Sequence, residues 1–179
     1  MRVRWLGCGA MAAIAQVAQL GHATQYLTVE QAQRAAFPQA TEFRNAGPID
    51  AATAAAIGAP AGWSPRVFEA RDAQRRLGWV MVDQVIGKSE LITYALALDA
   101  AGKATSLEVL DYREAHGGEI RLAPWRKQFV GKSAADAIEL NRDIKNISGA
   151  TLSCRHITEG VQRLLKFHER ALKTRAQQQ

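Results

Sequence analysis

Cysteine is almost absent: Cys8 and Cys154 are the only two in 179 residues. That excludes a disulfide-rich scaffold and a four-cysteine zinc site. Histidine is also scarce, and His116, His156 and His168 have no mutual spacing that makes a metal site. No catalytic cysteine pair and no glycine-rich dinucleotide fingerprint occurs, so nothing points to direct oxidation of a nicotinamide. No apolar run reaches the roughly 18 residues of a membrane span. Internal repeats are missing as well. Lys and Arg outnumber Asp and Glu by 23 to 17, a net charge of +6. Without a patterned patch this excess does not suggest a nucleic-acid partner, and none is expected. What remains is 47% hydrophobic and 22% charged, enough apolar material for the core of one domain.

The first residues have a pattern of their own. Arg2 and Arg4 precede an apolar stretch from Trp5 to Leu20, followed by Gly21-His22-Ala23. A basic start, a short apolar centre and small residues before a cut describe a secretory signal, with cleavage expected after Ala23. Cys8 precedes most of the apolar centre, which argues against a lipidated cysteine. Cleavage would remove two arginines and no acidic residue, lowering the net charge from +6 to +4. It would leave Cys154 as the only thiol. The expected location is the periplasm.

Thr28-Val29-Glu30-Gln31 reads as a capping box opening a short helix that ends before Pro38. Asp50 is placed to cap an Ala-rich helix between Pro48 and Pro60. Strand-like patterns follow at Arg66–Ala70, Leu77–Val85, Leu91–Asp99 and Thr105–Arg113. The third and fourth are joined by Asp99–Lys103, a turn with Gly102 where positive φ is wanted. A polar stretch, Glu114–Lys132, comes next. In Cys154–Lys173 the residues Ile157, Val161, Leu164, Leu165, His168 and Leu172 fall at helical spacing. The reading is α+β: a small antiparallel sheet flanked by helices, closed by an amphipathic C-terminal helix. The basic residues Lys166, Arg170, Lys173 and Arg175 form a solvated face or a contact for anionic lipid.

The chemistry is concentrated just before that helix. Ile147-Ser148-Gly149-Ala150-Thr151-Leu152-Ser153 is a small, hydroxyl-rich loop leading into a helix start. Gly149 permits close backbone approach, and free amides at the helix start suit a phosphate. Thr151 or Ser153 would serve equally as an ordinary helix cap. Cys154 reads as a packed thiol.

Ser148-Gly149-Ala150-Thr151-Leu152-Ser153 resembles the SGAT-x-S/T motif of the FMN-binding domain family. That family includes the flavin-bearing C subunit of the Na⁺-translocating NADH:quinone oxidoreductase and the G subunit of the Rnf complex. In it, a flavin transferase joins the threonine closing SGAT to FMN through a phosphoester. The matching residue is Thr151. The resemblance continues upstream in order, through Tyr112-Arg113-Glu114, His116-Gly117-Gly118, Trp125 and Phe129-Val130-Gly131-Lys132. These are similar to the family's H-x-E-T-P-G-L-G, W and F-x-G-K elements, and the set spans residues 75–170. Two departures stand out. The family's Asp six residues before the threonine is Lys145 here, with Asp143 two residues earlier, and the T-P-G-L-G part is shortened to Ala115-His116-Gly117-Gly118.

The resemblance implies an FMN-binding domain at residues 66–175, after a helical lead at 24–65, with FMN attached covalently to Thr151. Ser148, Gly149, Ala150 and Ser153 would surround the phosphate, with Lys145 and Arg155 as nearby cations. Backbone amides of Gly117 and Gly118 would meet the isoalloxazine edge, and Trp125 would cover its face or be a core aromatic. Glu114 and His116 would stand at the pocket or at a surface strand end. No catalytic side chain and no metal are expected. The implied function is electron relay between membrane or periplasmic partners, after maturation by a flavin transferase. The alternative is an exported, non-catalytic domain that holds flavin or another phosphate ligand.

Overall fold

A computed structural model describes residues 24–73 and 75–173. The signal-like segment 1–23 and Arg175 lie outside the described residues. Strands β1 (Thr24–Gln25), β2 (Glu42–Asn45), β3 (Arg66–Arg71), β4 (Arg76–Ile86), β5 (Leu91–Asp99) and β6 (Ala104–Tyr112) form one sheet. Its order is β1-β6-β5-β4-β3-β2, and every neighbouring pair is antiparallel. Helices α1 (Val29–Ala36), α2 (Ala51–Ala56), α3 (Ala123–Arg126) and α4 (Thr151–Phe167) complete the expected α+β fold. Among the described residues, no helix is long and apolar enough to cross a membrane.

Both faces of the sheet are covered. On one face Val80, Val82, Ala95 and Ala97 meet Ala32 and Phe37 around α1. On the other, Met81, Tyr94, Leu96 and Leu107 pack beneath α4. Ile157, Val161, Leu164 and Leu165 of α4 are at most 1% exposed, as their spacing predicts. Burial of each such side chain contributes on the order of 1.5–3 kcal/mol, so α4 is held by packing more than by propensity.

The capping box forms as expected. The Gln31 N–H donates to Thr28 Oγ1 at 3.2 Å, and Gln31 Oε1 accepts from the Thr28 N–H at 2.8 Å. Asp50 caps α2 through the Thr53 N–H at 2.7 Å. The edge strands β1 and β2 arise within the expected helical lead. With two and four residues, they are too short to show an alternating pattern. The polar stretch after β6 is also more ordered than its composition suggests. It contains 3-10 turns at Gly118–Arg121 and Lys127–Phe129 around α3, drawn inward by Ile120, Trp125 and Phe129.

Helix α4 begins at Thr151, three residues before the expected Cys154. The Cys154 N–H already bonds to the Ala150 carbonyl at 2.9 Å, so the small residues of the loop form the first turn. They carry no apolar periodicity that would reveal this. Beyond Phe167 the helix continues as a π-helical turn, His168–Leu172.

One irregularity in the sheet matters for the site. Tyr94 pairs with Val109, and Thr93 pairs with Asp111, leaving Leu110 as an extra residue in β6. This bulge turns Leu110 toward α1 and returns Tyr112 to the α4 face.

Candidate functional site

The loop before α4 closes through the Ala150 N–H, which donates to the Ile147 carbonyl at 3.0 Å. Gly149 sits at φ +82°, and the space beside its Cα is open. Ala150 is the residue at the helix boundary, and no side chain caps the helix. Thr151 and Ser153 therefore do not perform the capping role that their positions permitted. The amides of Thr151, Leu152 and Ser153 precede the first i→i−4 bond, at the positive end of the helix dipole. Thr151 is exposed, and its Oγ1 accepts a hydrogen bond from Asn146 Nδ2 at 3.0 Å. Ser153 is buried, with its Oγ 3.5 Å from the Tyr112 hydroxyl.

The second loop leaves the end of β6. Tyr112, restored to this face by the bulge, donates its hydroxyl to the His116 carbonyl and bends the chain back. Burial holds the Tyr112 phenol above its ordinary pKa. Gly117 follows at φ +84° and lies so close to the first loop that a Cβ would stand 2.7 Å from Ala150 Cβ. Only glycine suits both the conformation and the contact. Arg121 donates from Nε to the Gly118 carbonyl at 2.8 Å and places its guanidinium 4.1 Å from the Tyr26 ring centroid.

Two clefts flank these loops. The larger, about 840 Å³, is bounded by Tyr26, Tyr112, His116, Gly117, Arg121 and Ser148, among others. The smaller, about 380 Å³, contains Lys88, Ser89, Ala150, Thr151, Leu152 and Ser153. Glu114, Ala115, His116 and Gly149 line both. Thus the His-Gly-Gly and Ser-Gly-Ala-Thr segments, separate in sequence, share one surface. Ser148, Gly149, Ala150, Thr151, Ser153, Glu114, His116, Gly117 and Gly118 all line one or both clefts.

Glu114 has a further task. Its Oε1 accepts from the Ser89 and Glu90 amides at 2.6 and 2.9 Å, gripping the β4–β5 turn. Burial opposes its ionisation, but the amides of Glu90, Ser89 and Lys88 prevail and hold its pKa below the ordinary value. Gly87 leaves room for this grip, since a Cβ there would lie 2.5 Å from Glu114 Oε1. From α4, His156 Nδ1 contacts the Ile86 carbonyl at 2.6 Å and ties the helix to the same turn.

Trp125 lines neither cleft. It is 5% exposed, edge-on to Phe129 with ring centroids 5.2 Å apart, which is the geometry of a core aromatic. Its indole N–H donates to the Lys145 carbonyl at 2.9 Å, while the Lys145 N–H donates to Gln128 Oε1 at 2.8 Å. The approach to the loop is therefore clamped from the core. Lys145 and Arg155 are exposed, and neither lines a cleft; the cations that do are Lys88 and Arg121. Asp143 accepts from the Glu139 N–H at 3.3 Å within its own turn. Burial raises the Cys154 thiol above its ordinary pKa, so it is packed and unreactive.

Residues 87–166 match the model of the FMN-binding domain family. The chain carries an FMN-binding domain. No curated protein matches it. The matched span runs from Gly87 in the β4–β5 turn to Lys166 in α4, so it encloses both loops and the turn that Glu114 holds. The cleft residues suit FMN. The uncapped helix start and the open space beside Gly149 fit a phosphate, and both cleft volumes lie in the range of about 300–1,000 Å³ usual for small-molecule sites.

Several residues that line the two clefts were missed in the sequence. Tyr26 reaches the cleft because β1 pairs with β6, placing Thr24 opposite Tyr112, and no local pattern announces that. Arg121, Lys88 and Ser89 likewise lie on turns that become neighbours only through the sheet. Tyr112 stood within a quoted motif and Asn146 beside one, and polar groups in or next to a motif were the available signal.

Proposed function

We propose that this is an exported electron-transfer flavoprotein whose FMN is attached through its phosphate to Thr151. One observation carries the reading. Thr151 is exposed at an uncapped helix start, on the wall of a cleft that it shares with Glu114 and His116. The fold has no other use for it as a cap. Bound FMN would supply the redox chemistry, accepting and releasing electrons one or two at a time.

The chain's own residues bind and orient. First-turn amides of α4 stabilise the phosphate charge, with Lys88 on the same cleft wall. The Gly117–Gly118 backbone offers hydrogen-bonding groups to a planar ring edge without side-chain obstruction. Tyr26, Tyr112 and Arg121 shape the larger cleft. The basic–apolar–small N-terminus supports export to the periplasm. A flavin transferase would complete maturation, and membrane or periplasmic partners would donate and accept electrons.

Lys145, standing where the family has Asp, favours a second reading: reversible binding of flavin without attachment. Intact mass and visible spectra separate the two. Protein coexpressed with an exported flavin transferase should be yellow after acid precipitation, and heavier by one FMN less one water. Flavin released entirely by acid would establish the second reading. N-terminal sequencing of the exported form should begin after Ala23, and retention of Met1 in a cytoplasmic form would exclude export.

A further inference from the structure

We propose that Asn146 is the positioning residue that presents the Thr151 hydroxyl for flavin attachment, an inference that rests on the covalent reading above. Asn146 is half-buried and its carboxamide is engaged at both ends. Oδ1 accepts from the Ile147 N–H at 2.9 Å, and Nδ2 donates to Thr151 Oγ1 at 3.0 Å. The neighbouring backbone is fixed as well, because Lys145 is held by Trp125 and Gln128 on its two sides. A short chain of contacts therefore runs from the aromatic core to one exposed hydroxyl.

The same helix provides the contrast. Thr158 turns its hydroxyl back on its own helix and donates to the Cys154 carbonyl at 2.6 Å. That is the ordinary resting place of a helical threonine: its proton is committed to the backbone carbonyl, and the residue is only 2% exposed. At Thr151 the Asn146 carboxamide holds Oγ1 instead. Because Nδ2 only donates, it takes one lone pair of Oγ1, and the hydroxyl hydrogen must point away from Asn146. One lone pair stays available to an incoming phosphorus.

Attachment is a phosphoryl transfer in which no electron changes hands. Thr151 Oγ1 forms a bond to the flavin-side phosphorus of a flavin dinucleotide. The phosphoanhydride bond breaks, the nucleoside monophosphate leaves, and the hydroxyl proton passes to a base of the transferase or to water. Asn146 takes no part in bond making. It reduces the orientations that Oγ1 samples, an effect that reaches about 100-fold in rate when a reacting group is displaced by ~1 Å.

The test is a steady-state assay with purified transferase and flavin dinucleotide, using the full exported chain as acceptor and reading acid-stable flavin by fluorescence and intact mass. Asn146→Ala and Asn146→Leu should each lower kcat by about tenfold or more, with KM for the acceptor chain little changed. Asn146→Gln, which keeps the donor on a longer arm, should recover part of the rate. Reversible affinity for free FMN and the melting temperature of the unloaded chain should stay close to wild type. Wild-type kcat in both Asn146→Ala and Asn146→Leu would overturn the proposal, as would a change confined to KM or to melting temperature. Wild-type chain that acquires no acid-stable flavin would instead refute the covalent reading itself, and the proposal with it.

Discussion

Gly117 rests directly on Ala150: a Cβ at Gly117 would lie 2.7 Å from Ala150 Cβ and 2.8 Å from the Tyr112 hydroxyl. This contact joins the turn after β6 to the loop before α4. Gly149, at nearly the same φ, has open space instead. The two glycines should therefore respond differently. Gly149→Ala carries backbone strain alone, on the order of 1 kcal/mol. Gly117→Ala adds a clash and should cost about 2–3 kcal/mol, as well as weakening FMN binding. Denaturant titration of both variants gives the ordering, and equal losses would show that the loops do not press on one another.

Gly149→Val asks more of the loop than Gly149→Ala. A β-branched side chain disfavours positive φ and fills the space where a phosphate would approach. The chain should fold, because nothing packs on that side, yet bind little FMN. Normal flavin stoichiometry in a folded Gly149→Val protein would place the phosphate elsewhere.

Thr151→Ala separates attachment from folding. An N-cap threonine would cost about 1 kcal/mol on truncation. Thr151 is no cap, so the melting temperature should barely move while acid-stable flavin disappears. Thr151→Ser keeps a hydroxyl and should retain part of the loading. Lys145→Asp should maintain or raise it, and acid-stable flavin on Thr151→Ala would place the attachment on another residue.

Glu114 introduces a pH dependence with a defined sign. Its folded pKa lies below its unfolded value, because the hairpin amides favour the carboxylate. Its stabilisation is therefore complete above the ordinary glutamate range, about pH 4.3, and fades as pH falls through the folded value. Glu114→Gln should be less stable than wild type at neutral pH, with the gap narrowing in acid. Melting temperatures measured from pH 7 down to about pH 3 test this, since that range passes below the ordinary glutamate pKa; a gap that stays constant would mean Glu114 acts only by packing.

Asp83, on β4 beneath α4, offers a stability control. It is 5% exposed, accepts from the Trp63 indole N–H at 3.0 Å and the Tyr94 hydroxyl at 3.0 Å, and lies 3.9 Å from Arg163 on α4. Burial, followed by the Asp83 charge, drives the Tyr94 phenol well above its ordinary pKa. Asp83→Ala would leave Arg163 and two donors without their carboxylate, at a cost of about 3–5 kcal/mol. Asp83 lines neither of the two clefts beside the Ser-Gly-Ala-Thr loop, so the surviving folded protein should load FMN normally. Chemical denaturation paired with flavin stoichiometry distinguishes this from a role in the site.

Local physics made much of this protein legible in its sequence. The Thr28 and Asp50 caps, the strand-like runs of β3 to β6 and the apolar stripe of α4 depend on neighbours within a few positions. The Ser-Gly-Ala-Thr loop was visible for the same reason, because small residues before a helix define a local conformation. Tertiary structure decided which loops meet. Gly117 reaches Ala150 only because a bulge at Leu110 returns Tyr112 to the α4 face, while α4 packs across β4 and β5. It placed Trp125 in the core and Tyr26 at the cleft, since each depends on a partner distant in sequence: Lys145 for the indole, β6 for β1. Backbone preference acts over a turn or two of chain, whereas side-chain burial is settled by whichever surfaces the sheet brings together.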